Sequence, residues 1–211
     1  MYKVFINDKP LFLTSELQKE ADFKYFLLNT IDLQKLIAQY FDGSVNNAFL
    51  YHPNKNQLLK IFKDKITINK AGGGLVENEN GEILFIFRNG KWDLPKGGTE
   101  KNETMEETAM REVEEETGCK NLKITNKLQK TYHIFKRNGE YRLKITNWYA
   151  MQTNFTGDLF AQAEEGIEKV VWVNKNDVST LLQNSYMNIK LLFNENCKQL
   201  NTTVKTEKGV Y

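Results

Sequence analysis

Residues 97–118 read GGTEKNETMEETAMREVEEETG. Eight glutamates stand between Glu100 and Glu116, with only Lys101 and Arg111 to offset them, in a chain whose formal net charge is +2. Thr104 followed by Glu107 has the spacing of a capping box, which starts a helix, and Gly118 suits the left-handed position that ends one. Met105, Ala109, Met110 and Val113 give that helix an apolar side. At 3.6 residues per turn, Glu112, Glu115 and Glu116 fall within an arc of about 100° that borders this side. Glu100, Glu106 and Glu114 read as solvated charge. Carboxylates this close repel one another, which raises a pKa among them. A hard divalent cation removes the repulsion by taking them as oxygen ligands. Glutamate-rich helices are more often merely solvated, and spacing alone leaves both readings open.

The sequence around the segment is that of an ordinary globular protein. The 211 residues are 40% hydrophobic and 27% charged. The near-zero net charge argues against nucleic acid and membrane as partners. Cys119 and Cys197 are too far apart in sequence to suggest a disulfide framework or a zinc motif, so a reducing compartment is expected. The amino terminus lacks the apolar core of a signal peptide, and no stretch approaches the roughly 20 apolar residues of a membrane span. The expected location is cytoplasmic.

The chain divides near residue 70. Residues 1–70 read as a small α/β domain of unknown role, with strands at YKVFI and PLFL, a helix over Asp32–Phe41 and a strand at NAFLYHP stopped by Pro53. The segment QLLKIFKDKITI could be helical or extended. His52 reads as a structural loop residue. From Ala71 the pattern changes to AGGGLVEN, the apolar run EILFIFR, the turn WDLPKGG and the acidic helix. Two alternating strands then flank Asn138-Gly139, a strong hairpin signal. KVVWV reads as a further strand, and a helical region runs from Asp177 to about Leu200. A polar tail occupies 201–211.

Gly97, Glu103, Arg111-Glu112-Val113, Glu115-Glu116 and Gly118-Cys119 stand at the spacing G-x5-E-x7-R-E-V-x-E-E-x-G-C. This resembles the signature of the Nudix hydrolases at every charged and glycine position; Cys119 takes the place of the usual aliphatic residue. The resemblance covers about Ala71 to Leu200. It implies an α/β/α sandwich with a mixed central sheet, preceded here by the small α/β domain. It also implies an enzyme that hydrolyses a diphosphate linkage in a nucleoside diphosphate derivative, with Mg2+ or Mn2+ as cofactor. By the same resemblance, Glu112, Glu115 and Glu116 are metal ligands, joined by the Gly97 carbonyl, and Arg111 pairs with Glu103 to orient them. The general base of the family lies either in the motif or on a distant loop. Glu165 is the expected distant base, with its neighbour Glu164 as the other candidate.

Substrate choice lies outside the motif. Arg88 at the end of EILFIFR and Lys96 of the PKG turn are candidate phosphate contacts, together with Lys136 and Arg137 at the hairpin tip. The WDLPKG form resembles family members that act on dinucleoside or diphosphoinositol polyphosphates. The expected partner is a small phosphate-anhydride substrate. The first 70 residues are expected to serve dimerisation, giving a homodimer, or to shape the substrate site. The alternative is a noncatalytic ligand-sensing module built on the same fold. Gly72-Gly73-Gly74 lacks the spacing of a phosphate-binding loop, so it is expected to permit close packing.

Overall fold

The computed structural model describes residues 1–17 and 20–194. The elements run β1 (Tyr2–Ile6), β2 (Lys9–Thr14), β3 (Lys24–Leu27), α1 (Leu33–Phe41), β4 (Ala48–Tyr51), α2 (Leu58–Asp64) and β5 (Thr67–Asn78). They continue with β6 (Ile83–Arg88), β7 (Lys91–Asp93), β8 (Lys96–Gly98), α3 (Met105–Thr117), β9 (Lys123–Lys127), β10 (Thr131–Arg137) and β11 (Glu140–Thr153). A 3-10 turn at Ala163–Glu165, β12 (Ile167–Val173) and α4 (Val178–Gln183) follow, and residues 187–194 are helical. The carboxy-terminal part of the expected helical region, Cys197 and the polar tail lie outside the described residues.

The described residues form two compact units, one within Met1–Lys70 and Thr131–Ile145, the other of Ala71–Lys130 with residues 146–194. The hairpin around Asn138-Gly139 therefore belongs with the first unit. Its turn residues both have positive φ, 51° and 83°, a conformation that asparagine tolerates and glycine adopts freely.

In the first unit the strands neighbour one another in the order β10-β1-β2-β4-β3. β1 pairs antiparallel with β2 and parallel with β10; β4 pairs parallel with β2 and β3. The ambiguous QLLKIFKDKITI resolves into helix then strand. Leu58 and Phe62, four residues apart, bury one face of α2, and the β-branched run after Lys65 opens β5. In α1, Asp32 caps the helix by accepting from the Lys35 amide at 3.0 Å. Leu33, Leu36, Ile37 and Tyr40 form its buried stripe, at the spacing an amphipathic helix requires.

In the second unit the order is β12-β6-β5-β11, with β7 on β6, β8 on β5 and β9 on β11. Alternation along each strand sends neighbours to opposite faces, and both faces are covered. Val76, Leu84, Tyr149 and Met151 pack with Ala109 and Val113 of α3. Ile83, Phe85, Trp148 and Val173 pack with Val178 of α4 and with Ile189 and Leu192. This is a sheet between two helical layers, the α/β/α sandwich that the resemblance implied.

Candidate active site

The acidic stretch forms its helix by the devices read in the sequence. Thr104 Oγ1 accepts from the Glu107 amide at 3.2 Å, and Glu107 Oε2 accepts from the Thr104 amide at 2.8 Å. The reciprocal pair satisfies two amides that a helix start would leave unbonded. Gly118, at φ 72°, closes the other end by donating its N–H to the Glu114 carbonyl at 2.8 Å.

The helix can lie against the sheet because β5 presents glycine. A Cβ on Gly72 would stand 2.7 Å from the Ala109 nitrogen and 2.9 Å from the Met105 carbonyl oxygen. One on Gly74 would stand 2.7 Å from Val113 Cγ2. β8 pairs with the same strand, Gly97 opposite Gly72, and this brings Gly97 to the acidic face of α3. A Cβ on Gly97 would overlap the Glu112 carboxylate.

Arg111 is the hub of that face. Its Nε and Nη2 donate to the two oxygens of Glu103 at 2.6 and 2.9 Å, and Nη2 also donates to the Gly98 carbonyl at 2.9 Å. Its Nη1 donates to Glu112 at 2.8 Å and to Glu115 at 2.9 Å. The guanidinium, followed by the Glu100 amide and the Thr108 hydroxyl, holds the Glu103 carboxyl down to about 2. Burial raises the Glu112 pKa; Arg111 opposes the rise, and the charges of Glu115 and Glu165 add to it. Glu165, exposed on the 3-10 turn, is thus within electrostatic reach of Glu112. Its neighbour Glu164 is exposed on the same turn.

Glu116 faces inward, 1% exposed. Its Oε2 accepts from the Lys96 amide at 2.9 Å, and its Oε1 lies 3.6 Å from Arg88 Nη1. Burial pushes its pKa up to about 7, against the pull of Lys96 and Arg88. Beneath it lies Asp93, also 1% exposed. Asp93 accepts from Lys96 Nζ, from Arg88 Nε at 3.3 Å and from the Leu94 amide at 2.9 Å. Burial works against the Asp93 carboxylate, but Lys96 and Arg88 outweigh it and its pKa sits below the ordinary value.

The structure thus brings Gly97, Arg111, Glu112, Glu115 and Glu116 together on one helix–strand corner. Arg88 and Lys96 stand beside Glu116, with both cations engaged by Asp93. Lys136 and Arg137 lie in the first unit. Lys136 Nζ is 5.6 Å from the centre of the Tyr141 ring, and strand alternation sends Arg137 to the opposite face. Sequence reading gave Asp93 no role. The signal was an aspartate three residues before a lysine across a proline, in W-D-L-P-K.

The donor set fits a hard divalent cation in its chemistry: carboxylate oxygens plus a backbone held bare of side chain at Gly97. Among the described residues, no three acidic, histidine or cysteine side chains already converge on one metal position. Glu112 and Glu115 share a single cationic nitrogen of Arg111 instead, which shows that two of the carboxylates can meet at one positive centre.

A NUDIX domain sequence profile matches residues 69–192. The chain belongs to the Nudix family. It is 34% identical over 77 residues to an RNA pyrophosphohydrolase of Bartonella henselae, covering 33% of this chain and 43% of that protein. It is 28% identical over 135 residues to the m7GpppN-mRNA hydrolase dcap-2 of Caenorhabditis elegans, covering 62% of this chain and 16% of that protein. It therefore spans less than half the length of either relative. The MutT protein of Methanosarcina mazei Go1 shares the fold, with a TM-score of 0.53 at 20% identity over 64% of this chain and 96% of that one. With relatives named for RNA, the small net charge of this Nudix protein carries no weight against nucleic acid. No described helix is long and apolar enough to cross a membrane.

Proposed function

We propose that the second unit is a divalent-metal-dependent hydrolase that cleaves a diphosphate linkage. The observation that carries the reading is the corner where Glu112 of α3 meets the bare backbone of Gly97, Glu116 accepts from the adjacent Lys96 amide, and Arg111 bridges Glu112 and Glu115. Glu112, Glu115, Glu116 and the Gly97 carbonyl would hold Mg2+ or Mn2+. Bound there, the cation would neutralise phosphate oxygens and acidify a water. Arg111, anchored by Glu103, keeps Glu112 and Glu115 aimed at one place. Glu165 is the general base in this reading, because it stands on a separate turn, its charge is felt at Glu112, and it is outside the Arg111 network.

The substrate carries a polyphosphate chain, as in dinucleoside and inositol polyphosphates. RNA bearing a 5′ oligophosphate is a second reading, favoured by the names of the relatives. The reading of Arg88 and Lys96 as direct phosphate contacts is weakened by their engagement with Asp93; in this proposal their charge acts mainly through Glu116.

The test is a screen of dinucleoside polyphosphates, inositol pyrophosphates, nucleoside triphosphates and 5′-triphosphate RNA with Mg2+, products scored by mass. Glu165→Gln should lower kcat by about 10²–10⁴-fold with metal affinity little changed, and Glu164→Gln should change kcat little. Ligand binding without any product across the set would favour the noncatalytic sensor.

A further inference from the structure

The two units differ in charge. The first carries fourteen Lys and Arg against eight Asp and Glu, a formal +6; the remainder carries fifteen against nineteen, a formal −4. The acid of the second unit is concentrated at α3 and its flanks.

Both helices of the first unit serve one face of its sheet. Residues of α1 and α2 share a single core with Val4, Ile6, Leu11, Leu13, Leu50 and Ile134. Alternation sends the intervening residues to the opposite face, which among the described residues no helix of the unit covers. There β2, β4 and β3 set Phe12, Phe49 and Tyr25 in register. The Phe12 and Phe49 rings stack at 5.3 Å and 28°, and the Tyr25 and Phe49 rings at 5.2 Å and 21°. Phe23 packs over the row, 5.7 Å from Phe12 and 4.7 Å from Phe49, and leaves Phe49 2% exposed. Tyr25, last in the row, is 41% exposed.

The same face carries cations. Lys3 stands opposite Phe12 in the β1–β2 register. Arg142, between the core residues Tyr141 and Leu143 of β11, projects to this side. Its Nη2 donates to Glu140 at 2.8 Å, and its Nε is buried with no hydrogen-bond partner. Six strands at about 4.8 Å spacing extend the face over roughly 24 Å, with cations toward β11 and rings toward β3.

We propose that this face binds single-stranded nucleic acid. The exposed ring of Tyr25, backed by the packed rings of Phe12, Phe23 and Phe49, gives an unpaired base a surface to stack on, and cations along the same sheet follow the phosphates. A duplex hides its bases from such rings, and an acidic protein would use the cations but not the exposed ring of Tyr25. The inference concerns the first unit alone and stands whether or not the second unit hydrolyses a phosphate anhydride.

The test uses the full chain and a fluorescein-labelled 12-nucleotide RNA with a 5′-hydroxyl end, which offers no anhydride to cleave, so failure of the hydrolase reading cannot affect the result. Matching DNA, the RNA duplex and heparin serve as comparators, with binding read by anisotropy. The single strands should bind more tightly than duplex or heparin; stronger binding of RNA than of DNA would assign RNA as the ligand, and equal binding would assign either strand. Tyr25→Leu, which keeps an apolar filler without the flat ring, should weaken binding about 5- to 100-fold, and Tyr25→Phe should retain it. Lys3→Gln with Arg142→Gln should reduce the slope of log K against log salt by about 1.4. Absence of binding at 50 mM salt would overturn the proposal. So would equal binding of duplex and heparin with Tyr25→Leu unchanged, which would show charge attraction alone.

Discussion

Arg111 grips Glu103 with two parallel hydrogen bonds, Nε to Oε1 at 2.6 Å and Nη2 to Oε2 at 2.9 Å. This fork fixes the plane of the guanidinium, and the plane decides where Nη1 meets Glu112 and Glu115. A lysine would keep the charge and lose the fork. Arg111→Lys should therefore lower metal affinity and kcat together, by about 10–100-fold, as expected when the partner that orients a ligand is lost. Calorimetric Mg2+ titration and steady-state rates check this. A variant with unchanged metal affinity would detach Arg111 from the ligands.

Gly97→Ala tests the corner from the strand side. The methyl would occupy the space of the Glu112 carboxylate, so either the carboxylate or β8 must move. Overpacking of this kind costs about 1–3 kcal/mol. Chemical denaturation of the metal-free protein should show that loss, and Mg2+ should restore less stability than it does in the wild type. Equal stability with and without the methyl would mean that Glu112 turns aside freely.

Glu116 links metal to pH. Its folded pKa, about 7, lies above the ordinary 4.5. A raised carboxyl contributes stability that is present below pH 4.5 and is lost as pH rises through 7. The metal-free protein should lose that contribution across this window, and a cation bound to the carboxylate should offset the loss. The rise in Tm on adding Mg2+ should thus be larger at pH 8 than at pH 6. Glu116→Gln should abolish most of the rise and flatten the metal-free pH dependence. An identical Mg2+ shift in the variant would remove Glu116 from the ligand set.

Much of this corner was legible because its signals are local. The capping box at Thr104, the left-handed Gly118 and the 3.6-residue spacing of the glutamates each act within a turn or two of one helix. The ambiguous segment 57–68 was not, because Leu58 and Phe62 suit a helix face while Ile66 and Ile68 suit a strand, and the break between them depends on packing. β3 was missed for a similar reason: KYFL is short, and it is a strand only because β4 lies beside it. The hairpin's membership of the first unit could not be read either, since β1 pairs with β10 across more than a hundred residues of sequence. Lys136 and Arg137 are adjacent in sequence, yet the pleat sends them to opposite faces. Asp93 carries only the faint signal of Lys96 three residues on; its role emerges when β7 folds against β6 and brings Arg88 to it.

That buried aspartate gives the last prediction. Asp93 accepts from Lys96 and Arg88 in a site closed to water, and the same two cations face Glu116. Removing one partner of a buried ionic cluster leaves uncompensated charge, at a cost of about 3–5 kcal/mol. Asp93→Ala should be destabilised by that amount at pH 7. The sign of its pH dependence is opposite to that of Glu116: its folded pKa is depressed, so its contribution is present above about pH 4 and is lost as pH falls through the folded value. The gap between wild type and Asp93→Ala should therefore narrow in acid. Freed from Asp93, Lys96 and Arg88 should pair with the Glu116 carboxylate directly and compete with a metal for it. Mg2+ affinity should fall even where the variant remains folded. Denaturant melts from pH 3 to 8, paired with calorimetric Mg2+ titration at pH 7, separate the two effects. A stability loss with unchanged Mg2+ affinity would confine Asp93 to the core, and no loss of either would show that Lys96 and Arg88 find other partners without cost.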